Sequence, residues 1–336
     1  MNLTLRKMLM AILGIAIGAS CLWLAARTVD WAEASRIFRA ADLAGIATGV
    51  LLYGAAMVMR AIRWRAILAF RAPVGAGTSL QALVVGYAVN AALPARLGEL
   101  FRADYLARRT GLSRSGVLAS IFIERLLDLL AVVGVLALGL ALVGGGDAAS
   151  RNVLVGGAVV AAIGVGALLL IATKLSHANA EAVLARVIAR LPGGKTIAAR
   201  LGAMLGDFAQ LLRVVHTPRF ALIALGTLPI WVVEIGAIWS ICEAVAVHLA
   251  PAGMLSLMGG ASLSTLLPTA PGYVGSYQFA FVLILGQFGI GATAAIVAAT
   301  TVQIYLIGGY TLIGLATWAI SSLLAATRRD ITKARS

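Results

Sequence analysis

Three clusters in this chain combine residue types and spacings that could do chemistry. The first is Glu124-Arg125-x-x-Asp128. On a helix, Glu124 and Asp128 share a face, and Arg125 can reach Asp128 at i,i+3. Such a group could hold an anion on the arginine while the acids set its position or carry protons. It would serve equally well as a self-neutralised ionic knot between helices. The second is Asn90-x-x-x-Pro94-x-Arg96-x-Gly98-Glu99-x-x-Arg102. Proline removes a backbone donor and glycine lets the chain turn. A helix that restarts beyond the break presents unpaired N–H groups to an anion, and Arg96, Glu99 and Arg102 follow at three-residue spacing. The plainer alternative is a basic loop at an interface. The third runs from Pro268 through Pro271, Gly272, Tyr273, Gly275, Ser276 and Tyr277 to Gln278. It is a rigid, donor-poor turn whose Tyr273, Ser276, Tyr277 and Gln278 side chains could supply uncharged hydrogen bonds. Glu234, alone in the apolar run Trp231-Val-Val-Glu234-Ile, is a candidate for proton coupling or for a bond to a neighbouring helix.

The elements that carry these groups must sit in lipid. Hydrophobic residues make up 61% of the 336 positions and charged residues only 12%, against about 25% charged in soluble domains. Such a chain cannot cover a water-facing surface, so charges inside its apolar runs are costly and need a reason. The net charge of +14 does not point to nucleic acid, because the basic residues flank apolar segments instead of forming one domain. Cys21 and Cys242 both fall inside such segments and read as small apolar residues.

Six segments have the length of a full span: 8–26, 43–59, 118–143, 152–173, 220–246 and 300–325. The first is too long for a typical signal peptide and is read as a retained helix. Its Gly14-x-x-x-Gly18 is a helix-packing pattern of weak specificity. With the N-terminus placed inside, 22 of the 27 Lys and Arg fall in the inner segments 1–7, 60–117, 174–219 and 326–336. That asymmetry predicts both termini in the cytoplasm. Arg60-x-x-Arg63-Trp64, at the end of the second span, reads as an ordinary interfacial anchor.

Two apolar pieces, Leu80–Leu93 and Met254–Leu267, have about 14 residues each and are too short to span comfortably. Each ends in a proline, Pro94 or Pro268, with a glycine, Gly98 or Gly272, four residues on. Their contexts have opposite orientation, so they read as re-entrant hairpins of an inverted repeat, with halves at 43–143 and 220–325 and a site near the midplane. Between the halves, 174–219 carries two amphipathic stripes around Pro192-Gly193-Gly194. They suit either a helix pair on the cytoplasmic leaflet or a small cytoplasmic cap. The expected fold is an all-α polytopic membrane protein of about six spans and two re-entrant hairpins.

The motif repertoire argues against a self-contained enzyme. His177, His216 and His248 have no metal-ligand spacing, and neither a P-loop nor a Gly-x-Ser-x-Gly elbow is present. No cofactor is expected.

Taken together, Arg60-x-x-Arg63-Trp64, Asn90-x-x-x-Pro94-x-Arg96-x-Gly98-Glu99, Glu124-Arg125-x-x-Asp128 and Pro271-Gly-x-x-Gly275 resemble the flippase-like membrane domain of lysylphosphatidylglycerol synthases. The Ala-Pro-Gly-Tyr-Val-Gly segment is similar to stand-alone members associated with hopanoid or other isoprenoid lipids. The resemblance implies movement of a lipid between inner-membrane leaflets through a path formed by the two hairpins, with Arg96 and Arg125 steadying an anionic or isoprenoid-type headgroup. The soluble aminoacyl-transfer domain has no counterpart in this sequence, and Gln278 stands where many relatives have an acid. The implied partner is a membrane lipid, with a lipid-biosynthetic enzyme or a second copy of the chain also compatible. A non-transporting scaffold and a solute transporter are the alternative readings.

Overall fold

The computed structural model describes residues 3–27, 29–93, 97–143, 206–207, 214, 217–266 and 270–335, with side chains described between 14 and 323. Every regular element among them is helical. Six helices precede the segment around 144–205: α1 (Leu3–Ala26), α2 (Trp31–Arg39), α3 (Leu43–Leu68), α4 (Ala76–Ala92), α5 (Gly98–Thr110) and α6 (Arg114–Val143). Six follow it: α7 (Pro218–Leu225), α8 (Thr227–Ala244), α9 (Pro251–Ser264), α10 (Ser276–Gly286), α11 (Ala292–Val302) and α12 (Gly309–Arg335). A 3₁₀ turn, Pro271–Tyr273, precedes α10, and a π-helical stretch, Gln303–Gly308, joins α11 to α12.

Among the described residues, four helices are long and apolar enough to cross a membrane: Leu43–Leu68, Arg114–Val143, Pro218–Ala244 and Ala292–Leu323. The chain is therefore a multi-pass membrane protein. Two expected boundaries need correction. The second span does not stop near residue 59, because α3 continues through Arg60, Arg63 and Trp64, whose side chains are buried. The last span begins near Ala292 and not at 300. Gln303 and Gly308-Gly309 interrupt the apolar pattern there, while the helix runs on through its π stretch. The expected span 152–173 and the amphipathic pair lie outside the described residues, except for 206–207 and 214.

The two short apolar pieces are helices that fold back on a partner. At about 1.5 Å per residue, the 17 residues of α4 reach about 25 Å and the 14 of α9 about 21 Å, less than a hydrocarbon core of ~30 Å. Each packs on the helix after the break, α4 on α5 and α9 on α10. Pro94, Arg96 and Pro268 lie outside the described residues.

Packing between the two sets of helices is reciprocal. The leading long helices, α3 and α8, pack on each other. The short helix of the first set, α4, packs on α12, and the short helix of the second, α9, packs on α6. Small residues make these crossings possible, since lipid supplies no hydrophobic drive between helices and close backbone approach must replace it. On α3, Gly45 and Gly49 are one turn apart. A Cβ at Gly49 would sit 2.6 Å from Ile241 Cγ1, and one at Gly45 3.0 Å from Ala244 Cβ. At the α6–α9 crossing, a Cβ at Gly139 would come 2.6 Å from the Ser256 amide.

A candidate lipid site between the two helix breaks

The first break is held by two glycines. The Gly98 amide donates to Asn90 Oδ1 at 2.7 Å, so the side chain at the end of α4 caps the start of α5. A Cβ on Gly98 would strike that same Oδ1 at 2.6 Å, and one on Gly86 would lie 2.8 Å from Arg102 Cβ. The second break is held by glutamines. Gln278 Oε1 accepts from the Gly275 amide at 2.8 Å, and Gln278 Nε2 donates to Gln303 Oε1 on the π stretch. Gly275 has φ 93°, open to glycine and costly for other residues, and its Cα lies against the backbone of Gly18 on α1. The two breaks meet: the backbone of Gly272 approaches that of Ala91 at the end of α4.

Beneath this junction lies a buried ionic network. Asp128 Oδ2 pairs with Arg60 Nη1 at 2.9 Å, and its Oδ1 with Arg63 Nη2 at 2.7 Å. Glu124, with no exposed surface, pairs through Oε2 with Arg102 Nη2 at 2.7 Å and through Oε1 with Arg125 Nη2 at 2.9 Å. Arg60 also pairs with Glu234 on α8. Neutral donors and acceptors complete the shell. Arg63 Nη1 donates to Thr227 Oγ1 at 2.7 Å, Arg125 Nη2 to Tyr87 Oη at 2.8 Å, and the Arg102 guanidinium stacks 3.5 Å from the Trp64 ring centre. Trp64 is itself fixed by donation from Nε1 to Ser120 Oγ at 3.0 Å. A guanidinium in lipid needs this much company, because an unpaired buried charge costs several kcal/mol.

A cavity of about 330 Å³ opens above the network. Arg60, Glu99, Arg125, Asp128 and Glu234 give it a charged floor. Tyr53, Tyr87, Tyr273, Tyr277 and Tyr310 ring it with hydroxyls. Leu129, Val132, Ile238, Met258, Leu263, Leu266 and Leu306 supply apolar wall. Helices of both sets contribute, and the residues beside both breaks, Asn90, Ala91, Leu266 and Tyr273, reach it.

The structure thus divides the residues singled out from sequence. Asn90, Glu99, Arg125, Asp128, Tyr273 and Glu234 line the cavity. Arg102 and Glu124 sit behind it as members of the network. Gln278 braces the turn, and Ser276 Oγ donates to Tyr273 O at 3.2 Å in the same turn; neither lines the cavity. Gly98, Gly272 and Gly275 shape the breaks, while Pro271 opens the 3₁₀ turn. The interfacial-anchor reading of Arg60, Arg63 and Trp64 is overturned. They are 5%, 4% and 0% exposed, because α3 runs on past the apolar run and turns that face inward. Sequence reasoning also passed over Tyr53, Tyr87, Trp231 and Tyr310. Their only signal is a polar aromatic within an apolar helix, which is as common at an interface as at a site.

Comparison with known proteins agrees with this architecture. Over an alignment of 329 positions the chain is 25% identical to glycosyltransferase AglD of Haloferax volcanii, covering 90% of this chain and 52% of that protein. The chain thus spans about half the length of that relative. The family model described as the lysylphosphatidylglycerol synthase TM region matches residues 11–314. With its membrane helices, its two paired breaks and this nearly complete match, the chain belongs to the lysylphosphatidylglycerol synthase transmembrane-region family.

Proposed function

We propose that this protein moves a lipid between the leaflets of the bacterial inner membrane, the headgroup passing through the cavity while the tails stay in the bilayer. The observation that carries this reading is the cavity itself, lined by charged, tyrosine and apolar side chains together and reached by residues beside both helix breaks. A soluble solute would have little use for so much apolar wall, whereas a lipid has both kinds of surface. The reciprocal packing of α4 on α12 and α9 on α6 supports an inverted repeat of 43–143 and 220–325, with α4–α5 and α9–α10 as re-entrant hairpins. Rocking one repeat against the other would then open the cavity to each side in turn. In this reading the chain has no catalytic role of its own, and both termini are cytoplasmic. Membership in a family named for a lipid synthase, and likeness to a chain named as a glycosyltransferase, fit a membrane part that handles the lipid while chemistry occurs elsewhere. The isoprenoid or hopanoid character suggested by the Ala-Pro-Gly-Tyr-Val-Gly segment belongs to the same proposal.

The test is a proteoliposome assay with tail-labelled lipids, in which a membrane-impermeant reductant bleaches only the outer leaflet. The parent protein is expected to make the inner-leaflet label accessible, and Arg125→Ala to slow this at least about tenfold per folded molecule. An Arg125 contact made only during passage is worth ~1.4 kcal/mol or more on that scale. Equal rates in the parent, the variant and protein-free vesicles would refute the proposal.

A further inference from the structure

One open ion pair at the cavity points to the class of headgroup, granted the lipid reading above. Among the described residues the network contains four guanidiniums, Arg60, Arg63, Arg102 and Arg125, and four carboxylates, Glu99, Glu124, Asp128 and Glu234. Most are committed to close partners. Asp128 and Glu124 each use both oxygens, and Arg63 and Arg102 lie behind the cavity. The loosest pair is Glu99 and Arg125. They face each other at 3.9 Å, beyond hydrogen-bond distance, and each side chain is 30% exposed on the cavity wall.

We propose that the cavity takes a zwitterionic headgroup, its anionic oxygens on the exposed part of the Arg125 guanidinium and its ammonium on Glu99. A partly exposed guanidinium calls for an anionic oxygen, and a partly exposed carboxylate calls for a cation. A phosphate–ammonium head supplies both. A net anion would answer Arg125 and leave Glu99 without a cation, and a net cation would do the reverse. An uncharged sugar head replaces neither half of the Glu99–Arg125 contact with an opposite charge.

The experiment uses the full chain and three lipids with identical tails: phosphatidylethanolamine, phosphatidylglycerol and an uncharged glucosyl diacylglycerol. Binding is read first, by native mass spectrometry in detergent, and flipping of the tail-labelled forms second. The ethanolamine lipid is expected to bind about tenfold more tightly than the other two, a discounted value for a partly exposed ion pair. Glu99→Gln should bring the ethanolamine-to-glycerol ratio close to one, because the ammonium then loses its carboxylate partner while the phosphate keeps Arg125. Preference for either other lipid, no preference, or an equal loss for all three in Glu99→Gln overturns the inference. Selective binding without flipping of any lipid would sustain it while refuting translocation. Unselective flipping would do the reverse.

Discussion

At the scale of single residues, the chain places eight charged side chains where lipid-soluble helices meet, and the penalty for each is offset only by its neighbours. Asp128 is the sharpest case, since one carboxylate answers two guanidiniums from the same face of α3. Asp128→Ala leaves Arg63 with Thr227 alone and Arg60 with Glu234. Loss of one partner in a buried pair costs about 3–5 kcal/mol. Thermal unfolding in detergent should show a large drop for Asp128→Ala. A drop no larger than that of an exposed control such as Arg36→Ala would mean the network contributes little. The triplet Glu124-Arg125-x-x-Asp128 could be read from sequence as a site or as an ionic knot. The structure gives it both locations: Glu124 is sealed behind the cavity, whereas Arg125 and Asp128 reach its floor. One helical turn separates the two environments, and spacing alone cannot say which side of a helix meets a neighbour.

At the scale of elements, the breaks are the features on which the cavity depends. Gly98 lets α5 start against the end of α4, and Gly275 lets the second turn rest on α1 through Gly18. Gly98→Ala would push Asn90 Oδ1 off the α5 amide it caps, and Gly275→Ala would combine positive φ with a clash against Gly18. Each should lower folded yield, measured by fluorescence-detected size exclusion, with Gly275→Ala the more damaging because both meet a backbone oxygen, Gly86 O or Gly18 O, and only Gly275 adds a positive φ. Ala substitution at Gly134, whose Cβ would meet nothing within 4 Å, is the matched control and should be neutral. Pro/Gly punctuation made both breaks legible in the sequence. The short helix α2, with Asp30 as its N-cap and Trp31 and Phe38 exposed, was not. Nine residues between two spans are too few to stand out against a loop, and its packing on α11 is a tertiary contact.

At the scale of the whole molecule, the cavity exists because helices from both sets converge, so filling it should separate transport from folding. Ser262 lines it from α9. Ser262→Trp should leave the size-exclusion profile and thermal stability nearly unchanged, since the new ring enters existing space. In the proteoliposome assay the same variant should cut flipping by about tenfold or more, the scale of a contact worth ~1.4 kcal/mol in the passage barrier. Normal flipping by a well-folded Ser262→Trp would place the lipid path elsewhere.

The amino-acid sequence by itself determined the solvent of this protein, its helical class and the position of its two breaks. Those follow from local quantities: apolar length against bilayer thickness, and the backbone limits of proline and glycine. Its basic pair in Arg60-x-x-Arg63 looked like an interfacial anchor because a chain read in one dimension shows only that charge follows an apolar run. Tertiary structure alone decided that these arginines turn inward to Asp128 and Glu234, residues 68 and 174 positions away. Ion pairing acts over a few ångströms of space, and at those separations only the packing of α3 on α6 and α8 brings the charges together.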